Sequence, residues 1–206
     1  MCGRYYIDID MKEIKKILEE AERNIYRDFK IGEIFPTNIA PIYIQDEEAM
    51  RPILAKWGLP KWDGKGTIIN ARAETVDQKP MFKKLMKSTR CLVPASAYFE
   101  WKEIPSNKEK EKYIIKKHDS LLYFAGLYNV VPKHKEEQLS IFNSNSNEYD
   151  MFYTILTKDA DKSISHIHNR MPVIFDKLEI SDWLEGKSIN EMHNKEIELE
   201  SEIIKK

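Results

Sequence analysis

The chain has 206 residues, enough for one large domain, and 42% of them are hydrophobic, so a sizeable core can form. Charged residues make up 33% and the net charge is −1, which argues against a generally basic nucleic-acid binder. Residues 176–206 contain nine acidic and five basic residues, whereas residues 1–175 carry a net +3, so the sequence still permits a locally basic groove.

No early apolar run resembles a signal peptide, and no stretch approaches the ~20 apolar residues of a membrane span. Two cysteines do not make a disulfide framework, so we expect reduced thiols and a cytoplasmic protein. No linker separates two cores. We therefore predict one domain over residues 1–186, followed by a charged tail or helix over residues 187–206.

The chain opens with MCGRYYIDID, which places Cys2 directly after Met1. An amphipathic helix follows in the next segment. Asp10 and Glu13 are spaced as a capping box, and apolar residues then recur on one helical face at Met11, Ile14, Leu18 and Ala21.

Short runs rich in β-branched and aromatic residues predict strands over most of the remaining chain. They lie at 39–44, 51–59, 67–70, 90–95, 97–101, 112–117, 121–131, 151–157 and 171–175. Helical patterns occur at 77–88, 158–166 and 176–185, and the polar segment 142–150 predicts a loop between two strands. The predicted fold is α+β, a single domain with a curled, partly barrel-like, mainly antiparallel sheet flanked by a few helices.

Four segments carry polar or aromatic side chains in unusual patterns. In INARAET the three residues Asn70, Arg72 and Glu74 would share one face of an extended strand. The others are WGLPKW with Trp57 and Trp62, AYFEWKE with Glu100, and ISHIHNRMP with His166, His168 and Arg170.

Taken singly, each pattern also fits a structural role. The tryptophans are typical core anchors, and the polar residues fit the wet face of an antiparallel strand. Cys91 fits a buried strand position. The two histidines lack a third ligand at a convincing spacing, so we expect no metal site.

Taken together and in order, the motifs resemble the SRAP family, the abasic-site-processing proteins once called SOS-response-associated peptidases. The resemblance rests on MCGRY, WGL.P.W, NAR.ET, CLVPA…FEW, FAGLY and H.RMP, and it runs from Met1 to about Phe175. It implies the fold of that family, with single-stranded DNA that contains abasic sites as the partner. It implies no metal or other cofactor and no membrane, and we expect a monomer that joins the nucleoid when bound to damaged DNA.

The N-terminal cysteine suits this partner chemically. Once Met1 is removed, Cys2 carries an amine and a thiol on adjacent carbons, and such an aminothiol condenses with an aldehyde to give a five-membered thiazolidine. An abasic site equilibrates with a ring-opened aldehyde, so Cys2 would form a DNA–protein crosslink that shields the lesion in the DNA damage response. An internal cysteine cannot close this ring because its nitrogen is an amide.

The resemblance also implies roles for individual residues. Beside Cys2, Asn70 would position the terminal cysteine, Glu100 would handle its protons and His168 would act at the sugar. The expected DNA contacts are phosphate clamps by Arg4 and Arg72, a further contact by Arg170, and apolar or stacking contacts to bases by Trp57 and Pro41.

Three alternatives stay open at this stage. N-terminal-nucleophile glutamine amidotransferases also begin Met-Cys-Gly, but the chain has no HRG segment and no NGEIYN-like segment. The second is a self-processing peptidase in which Cys2 attacks the Met1 peptide bond, with lyase activity as a further option. The third is a non-catalytic single-stranded DNA-binding module, which would not need Cys2.

Overall fold

The computed structural model describes residues 2–22, 29–46, 49–104, 109–132, 149–192 and 196–204. The predicted loop at 142–150 lies outside them up to residue 148. The strands are β1 (Arg4–Ile7), β2 (Gly32–Ile34), β3 (Ile39–Asp46), β4 (Ala49–Trp57), β5 (Leu59–Pro60), β6 (Thr67–Ile68), β7 (Asn70–Arg72), β8 (Arg90–Ala95), β9 (Ala97–Glu103), β10 (Lys110–Lys116), β11 (Leu122–Pro132), β12 (Tyr149–Asp159), β13 (Arg170–Pro172), β14 (Ile174–Phe175) and β15 (Glu200–Ile203). The helices are α1 (Lys12–Glu22), α2 (Pro80–Ser88), α3 (Ile180–Leu184) and α4 (Ile189–Met192), and a 3-10 turn spans Ala73–Thr75.

Five strands close into a barrel in the order β12-β4-β3-β8-β11, with β11 pairing back onto β12. The pairing of β12 with β4 is parallel and the others in the ring are antiparallel. Gly126 lies on β11 between its two neighbours, and a Cβ there would approach the Cys91 Sγ to 2.8 Å and the Thr154 carbonyl oxygen to 3.1 Å. A residue without a side chain therefore lets β8, β11 and β12 curl tightly together.

A second sheet, ordered β15-β10-β9-β1-β2, covers one side of the barrel and is antiparallel throughout. Its inward-facing side chains join the main core, which includes Tyr5, Tyr98 and Ile115. The Tyr5 and Tyr153 hydroxyls lie 2.6 Å apart in a buried hydrogen bond between this sheet and the barrel. The predicted α+β fold with a barrel-like, mainly antiparallel sheet is confirmed.

The first helix begins at Lys12, close to the predicted capping box, and buries Ile14, Leu18 and Ala21 as the apolar spacing predicts. A second core lies on another side of the barrel and includes residues of α2, α3 and α4. There the buried Trp183 indole donates a hydrogen bond to the Cys91 carbonyl at 2.9 Å. Cys91 is fully buried on β8, so its prediction as a buried strand residue is confirmed.

The helix predicted at 158–166 is wrong. Strand β12 continues to Asp159 because it pairs with β13, and two turns then follow, in which the Asp161 and Ile164 carbonyls accept hydrogen bonds. The residues that mimic helical spacing form a buried ion pair instead, with the Lys158 Nζ 2.7 Å from the Asp161 Oδ1. The first two strands, β1 and β2, were not predicted.

The segment after residue 186 contains α4 and then β15, which adds to the edge of the second sheet by pairing with β10. Ile197 and Leu199 are buried, and the Ile197 amide donates to the Asp161 carboxylate at 3.2 Å. The C-terminal strand thus packs against the core and contacts the turns that lead to His168. Among the described residues, no helix is both long enough and apolar enough to cross a membrane.

Candidate active site

The N-terminal cysteine is anchored to the barrel. Cys2 precedes β1, which lies between β9 and β2, and its side chain is fully buried. The Asn70 Nδ2 donates a hydrogen bond to the Cys2 carbonyl at 2.8 Å. Asn70 begins β7, which pairs in parallel with β12, so a barrel strand fixes the position of the chain terminus.

A buried carboxyl group lies beside this cysteine. Glu100 is on β9, next to β1, and is 2% exposed, so the option of a solvent-facing residue is wrong. Burial raises the pKa of Glu100, and nearby positive charge opposes this shift only in part. Burial and the Glu100 charge raise the pKa of the Cys2 thiol, which therefore remains protonated at neutral pH and needs a base before it can act as a nucleophile.

His168 follows the two turns after β12 and is oriented by the backbone. The Arg170 amide donates to the His168 Nδ1 at 2.9 Å. The same Nδ1 lies 3.2 Å from the Arg170 carbonyl oxygen, and the shorter contact with the amide favours the neutral tautomer that carries its proton on Nε2. His168 and Glu100 line one open cleft of about 810 Å³, together with Gly3, Arg4, Trp101 and Asn169. The structure therefore brings together Cys2, Asn70, Glu100 and His168.

The two arginines predicted to bind phosphate are both at the surface. The Arg4 guanidinium lies 4.4 Å from the centre of the Phe35 ring and 4.9 Å from that of Trp101, and its Nη1 is 3.5 Å from a Glu33 carboxylate oxygen. Arg72 is exposed two residues beyond Asn70 on the same short strand. Both positions leave a guanidinium accessible to an anion.

The base contacts predicted for Trp57 and Pro41 are wrong, because both residues are buried. Trp57 stacks on Tyr153 in the barrel core, and its indole donates to the Ile69 carbonyl at 3.0 Å. The exposed tryptophan is Trp62, which is 94% accessible in the hairpin between β5 and β6. The sequence could have predicted this exposure, because Trp62 lies in the turn-forming run PKWDGKG, where a core tryptophan is not expected.

Arg170 has partners within the protein. Its guanidinium is within 2.7 and 3.0 Å of the two Glu74 oxygens, 2.6 Å of Asp159 and 2.7 Å of the Thr157 carbonyl. A guanidinium held by two carboxylates offers little to a phosphate, which argues against the predicted DNA contact. Glu74 lies in the 3-10 turn after β7, so it does not share a strand face with Asn70 and Arg72 as predicted.

His166 is exposed, and its ring packs edge-on against Tyr113. Within the described ranges, no group of three or more His, Cys, Asp or Glu side chains is arranged to hold a metal ion.

The chain thus belongs to the α+β proteins built on a small five-stranded barrel that a second sheet covers. A cysteine at residue 2 and a glutamate on β9 are both buried in this fold. Residues 1–203 match the family model described as SOS response associated peptidase (SRAP), and the chain belongs to this family. The chain is 33% identical over 201 residues to the abasic site processing protein YoqW of Bacillus subtilis, covering 91% of this chain and 82% of that protein.

The abasic site processing protein YedK of Escherichia coli is 27% identical over 204 residues, which cover 93% of this chain and 85% of YedK. A crystal structure of a protein from Bacteroides thetaiotaomicron superposes with a TM-score of 0.74 at 22% identity, covering 99% of this chain and 92% of that one. This structural similarity supports the fold alone.

Glu100→Gln should stabilise the protein at neutral pH. Because the folded-state pKa of Glu100 is raised above its ordinary value of 4.5, the wild type loses stability as the pH rises from that value through the folded-state pKa. The neutral variant escapes this loss, so its Tm should exceed that of the wild type at pH 7 and the gap should shrink toward pH 4.5. In a chain of this length each kcal/mol corresponds to about 2–4 °C.

Thermal unfolding of both proteins across this pH range measures the gap. Glu103→Gln is the matched control, because Glu103 is an exposed carboxylate on the same strand whose pKa is lowered by Lys110. It should give no stabilisation at neutral pH. A gap for Glu100→Gln that is constant with pH would contradict the raised pKa.

Proposed function

We propose that this protein processes abasic sites in DNA by capturing the ring-opened aldehyde on Cys2 after Met1 has been removed. The observation that carries the proposal is the position of Cys2, which Asn70 holds beside Glu100 next to the cleft that His168 lines. The printed names of the relatives in this family, abasic site processing proteins, support the same substrate.

The capture balances without an oxidant or a cofactor. The Cys2 amine adds to the aldehyde carbon C1′ to give a carbinolamine, which loses water to form an imine. The thiol sulfur then adds to the imine carbon, and its proton passes to the nitrogen. The net reaction joins one aldehyde and one aminothiol into a thiazolidine and releases one water molecule.

Glu100 is the proton carrier for these steps. An ordinary α-amine has a pKa near ~8 and is largely protonated at neutral pH, so both nucleophilic atoms must lose protons. A carboxyl group with a raised pKa can accept such a proton and return it when water leaves. The effect of the Glu100 charge on the pKa of the Cys2 thiol supports this assignment.

Asn70 positions the nucleophile. Its Nδ2 holds the Cys2 carbonyl, and its Oδ1 is buried without a hydrogen-bond partner in the described part of the chain. That oxygen is available to accept a hydrogen bond from the Cys2 amine once Met1 is gone. The amide would then hold both ends of the residue in one orientation.

His168 acts at the sugar. Because the Arg170 amide occupies Nδ1, the neutral ring presents its Nε2–H as a donor. A donor at the ring oxygen of the closed sugar would promote opening to the aldehyde, and the same group could assist reversal of the crosslink.

The DNA contacts follow from the accessible side chains. Arg4 and Arg72 match phosphate oxygens, and the exposed Trp62 suits stacking on a base. An abasic nucleotide has no base to read, so sequence preference should be weak. Single-stranded DNA presents the lesion without an unpairing cost.

Cys2→Ala should abolish the covalent adduct on a single strand with one abasic site, while non-covalent binding largely survives. The reason is that only Cys2 can supply both nucleophilic atoms. A denaturing gel measures the adduct, and Cys91→Ala is the matched control because Cys91 is fully buried on a barrel strand. An adduct that persists in Cys2→Ala would sink the proposal, and a wild type that binds without any adduct would favour the binding-module alternative.

Glu100→Gln and His168→Gln should differ in the step that they slow. Each should lower the crosslinking rate by about 10²–10⁴-fold, which is the usual contribution of a positioned acid or base. An aldehyde-bearing analogue that lacks the 4′-oxygen stays open-chain, so it should rescue His168→Gln and leave Glu100→Gln slow. Time courses with both substrates measure this, and equal rescue of the two variants would show that the roles are assigned wrongly.

Arg72→Ala and Trp62→Ala should both weaken binding to undamaged single strands, for different reasons. Loss of Arg72 removes a phosphate contact and should reduce the slope of log affinity against log salt concentration by ~0.7. Loss of Trp62 removes stacking, worth ~1–3 kcal/mol, with little change in this slope. Fluorescence anisotropy over a salt series separates the two, and unchanged affinity in either variant would exclude that residue from the DNA interface.

A further inference from the structure

The outer face of the second sheet holds two cations that share one carboxylate. Arg4 lies on β1, Glu33 on β2 and Lys112 on β10. The Glu33 carboxylate is 3.5 Å from the Arg4 Nη1 and forms an ion pair with the Lys112 Nζ through its other oxygen. One anion therefore bridges residues from three strands.

Aromatic rings hold both cations in place. The Lys112 Nζ lies 4.1 Å from the centre of the Phe99 ring and 5.9 Å from that of Trp101. The Arg4 guanidinium also lies over Trp101, so one ring contacts both positive groups. Cation–π contacts fix the cations near each other without neutralising them, so their mutual repulsion favours an anion between them.

The shared carboxylate is accessible to solvent. The Glu33 side chain is 31% exposed, and those of Arg4 and Lys112 are 37% and 22% exposed. Arg4 also lines the cleft that contains Glu100 and His168. The anion thus lies beside the cleft, where a nucleic-acid backbone would pass on its way to Cys2.

We propose that Arg4 and Lys112 form a single phosphate-binding site, which the Glu33 carboxylate fills when no DNA is bound. This inference rests on the proposed function, and it adds Lys112 as a phosphate ligand and Glu33 as an internal competitor. A carboxylate and a phosphodiester are both oxyanions of charge −1, so one can replace the other without a net change in charge at the site. The planar guanidinium of Arg4 can bind either of them in the same fork geometry.

Internal competition has a consequence for selectivity. A DNA phosphate must displace Glu33 before it can bind, which weakens the hold on every single strand, damaged or not. Prolonged retention then depends on the covalent step at Cys2, which only a strand with an aldehyde can complete. Glu33 would therefore lower the fraction of undamaged DNA that is bound. Covalent capture of the lesion would then determine which DNA the protein retains.

The test measures binding of an undamaged oligothymidylate to Glu33→Gln by fluorescence anisotropy over a salt series. The variant should bind several-fold more tightly than the wild type at low salt. The gain should shrink as the salt concentration rises, because salt weakens the electrostatic attraction on which the gain depends. Adding Lys112→Ala to Glu33→Gln should cancel most of the gain.

Two further variants serve as checks. Glu202 lies on β15, beside β10, and forms an ion pair with Lys116. Glu202→Gln therefore removes an equal charge from the same side of the sheet as Lys112, and it controls for the local net charge. Glu33→Asp keeps the charge but shortens the side chain by one methylene, so it should also bind more tightly than the wild type. Cooperative thermal unfolding of each variant checks that it is folded.

The inference is overturned if folded Glu33→Gln or Glu33→Asp binds the oligothymidylate no more tightly than the wild type. It is also overturned if Glu202→Gln gains as much affinity as Glu33→Gln. In those cases Glu33 only joins β2 to its neighbours. The two proposals fail separately, because adduct formation by the wild type on abasic DNA tests the covalent chemistry. An adduct without a Glu33 effect would reject this inference alone, and a Glu33 effect without an adduct would reject the covalent capture alone.

Discussion

The hydrogen bond from the Asn70 amide to the Cys2 carbonyl is the contact on which the rest of the site depends. Chain termini are ordinarily poorly ordered, yet the proposed capture requires this one to present two reactive atoms in a fixed geometry. The bond holds the terminus in a fixed position on the barrel, because Asn70 begins strand β7, which pairs with the barrel strand β12. Beneath it, Tyr5 packs edge-on against Trp57 and bonds Tyr153, so the strand that follows Cys2 cannot shift without disturbing the barrel core.

The site holds groups whose burial costs stability. Glu100 and Cys2 both have raised pKa values because burial penalises their charged forms. A protonated thiol beside a carboxyl group with a raised pKa suits the proposed proton transfer but is poorly suited to a stable core. The apolar core beneath the site, which includes Tyr5, Tyr98 and Ile115, offsets this cost through the burial of nonpolar surface. The ion pairs of Lys158 with Asp161 and of Arg170 with Glu74 lie around the turns that lead to His168 and support that segment.

Much of the fold and of the candidate site could be predicted, and the failures share a cause. Family motifs predicted a site at Cys2, Asn70, Glu100 and His168, which the structure brings together, and runs of β-branched and aromatic residues predicted most strands. Trp57 and Trp62 lie five residues apart in one motif, and only the closure of the barrel decides that Trp57 is inside and Trp62 outside.

The sequence suggested that Arg170 is free to bind a phosphate, because strand pairing over long sequence distances is what brings its partners Glu74 and Asp159 to it. The helix predicted at 158–166 failed because strand pairing with β13 overrode local periodicity. Glu33 and Lys112 belong to no motif, and they become neighbours only when three strands assemble.

The central claim is that the amine and the thiol of Cys2 both bond to the same carbon of the lesion. The most direct test is ¹³C NMR of the purified adduct made with DNA labelled at C1′ of the abasic site. The account predicts a tetrahedral carbon bonded to nitrogen and sulfur, stable when borohydride is added. A trigonal imine carbon that borohydride reduces, or a carbon bonded to sulfur and oxygen without nitrogen, would contradict it.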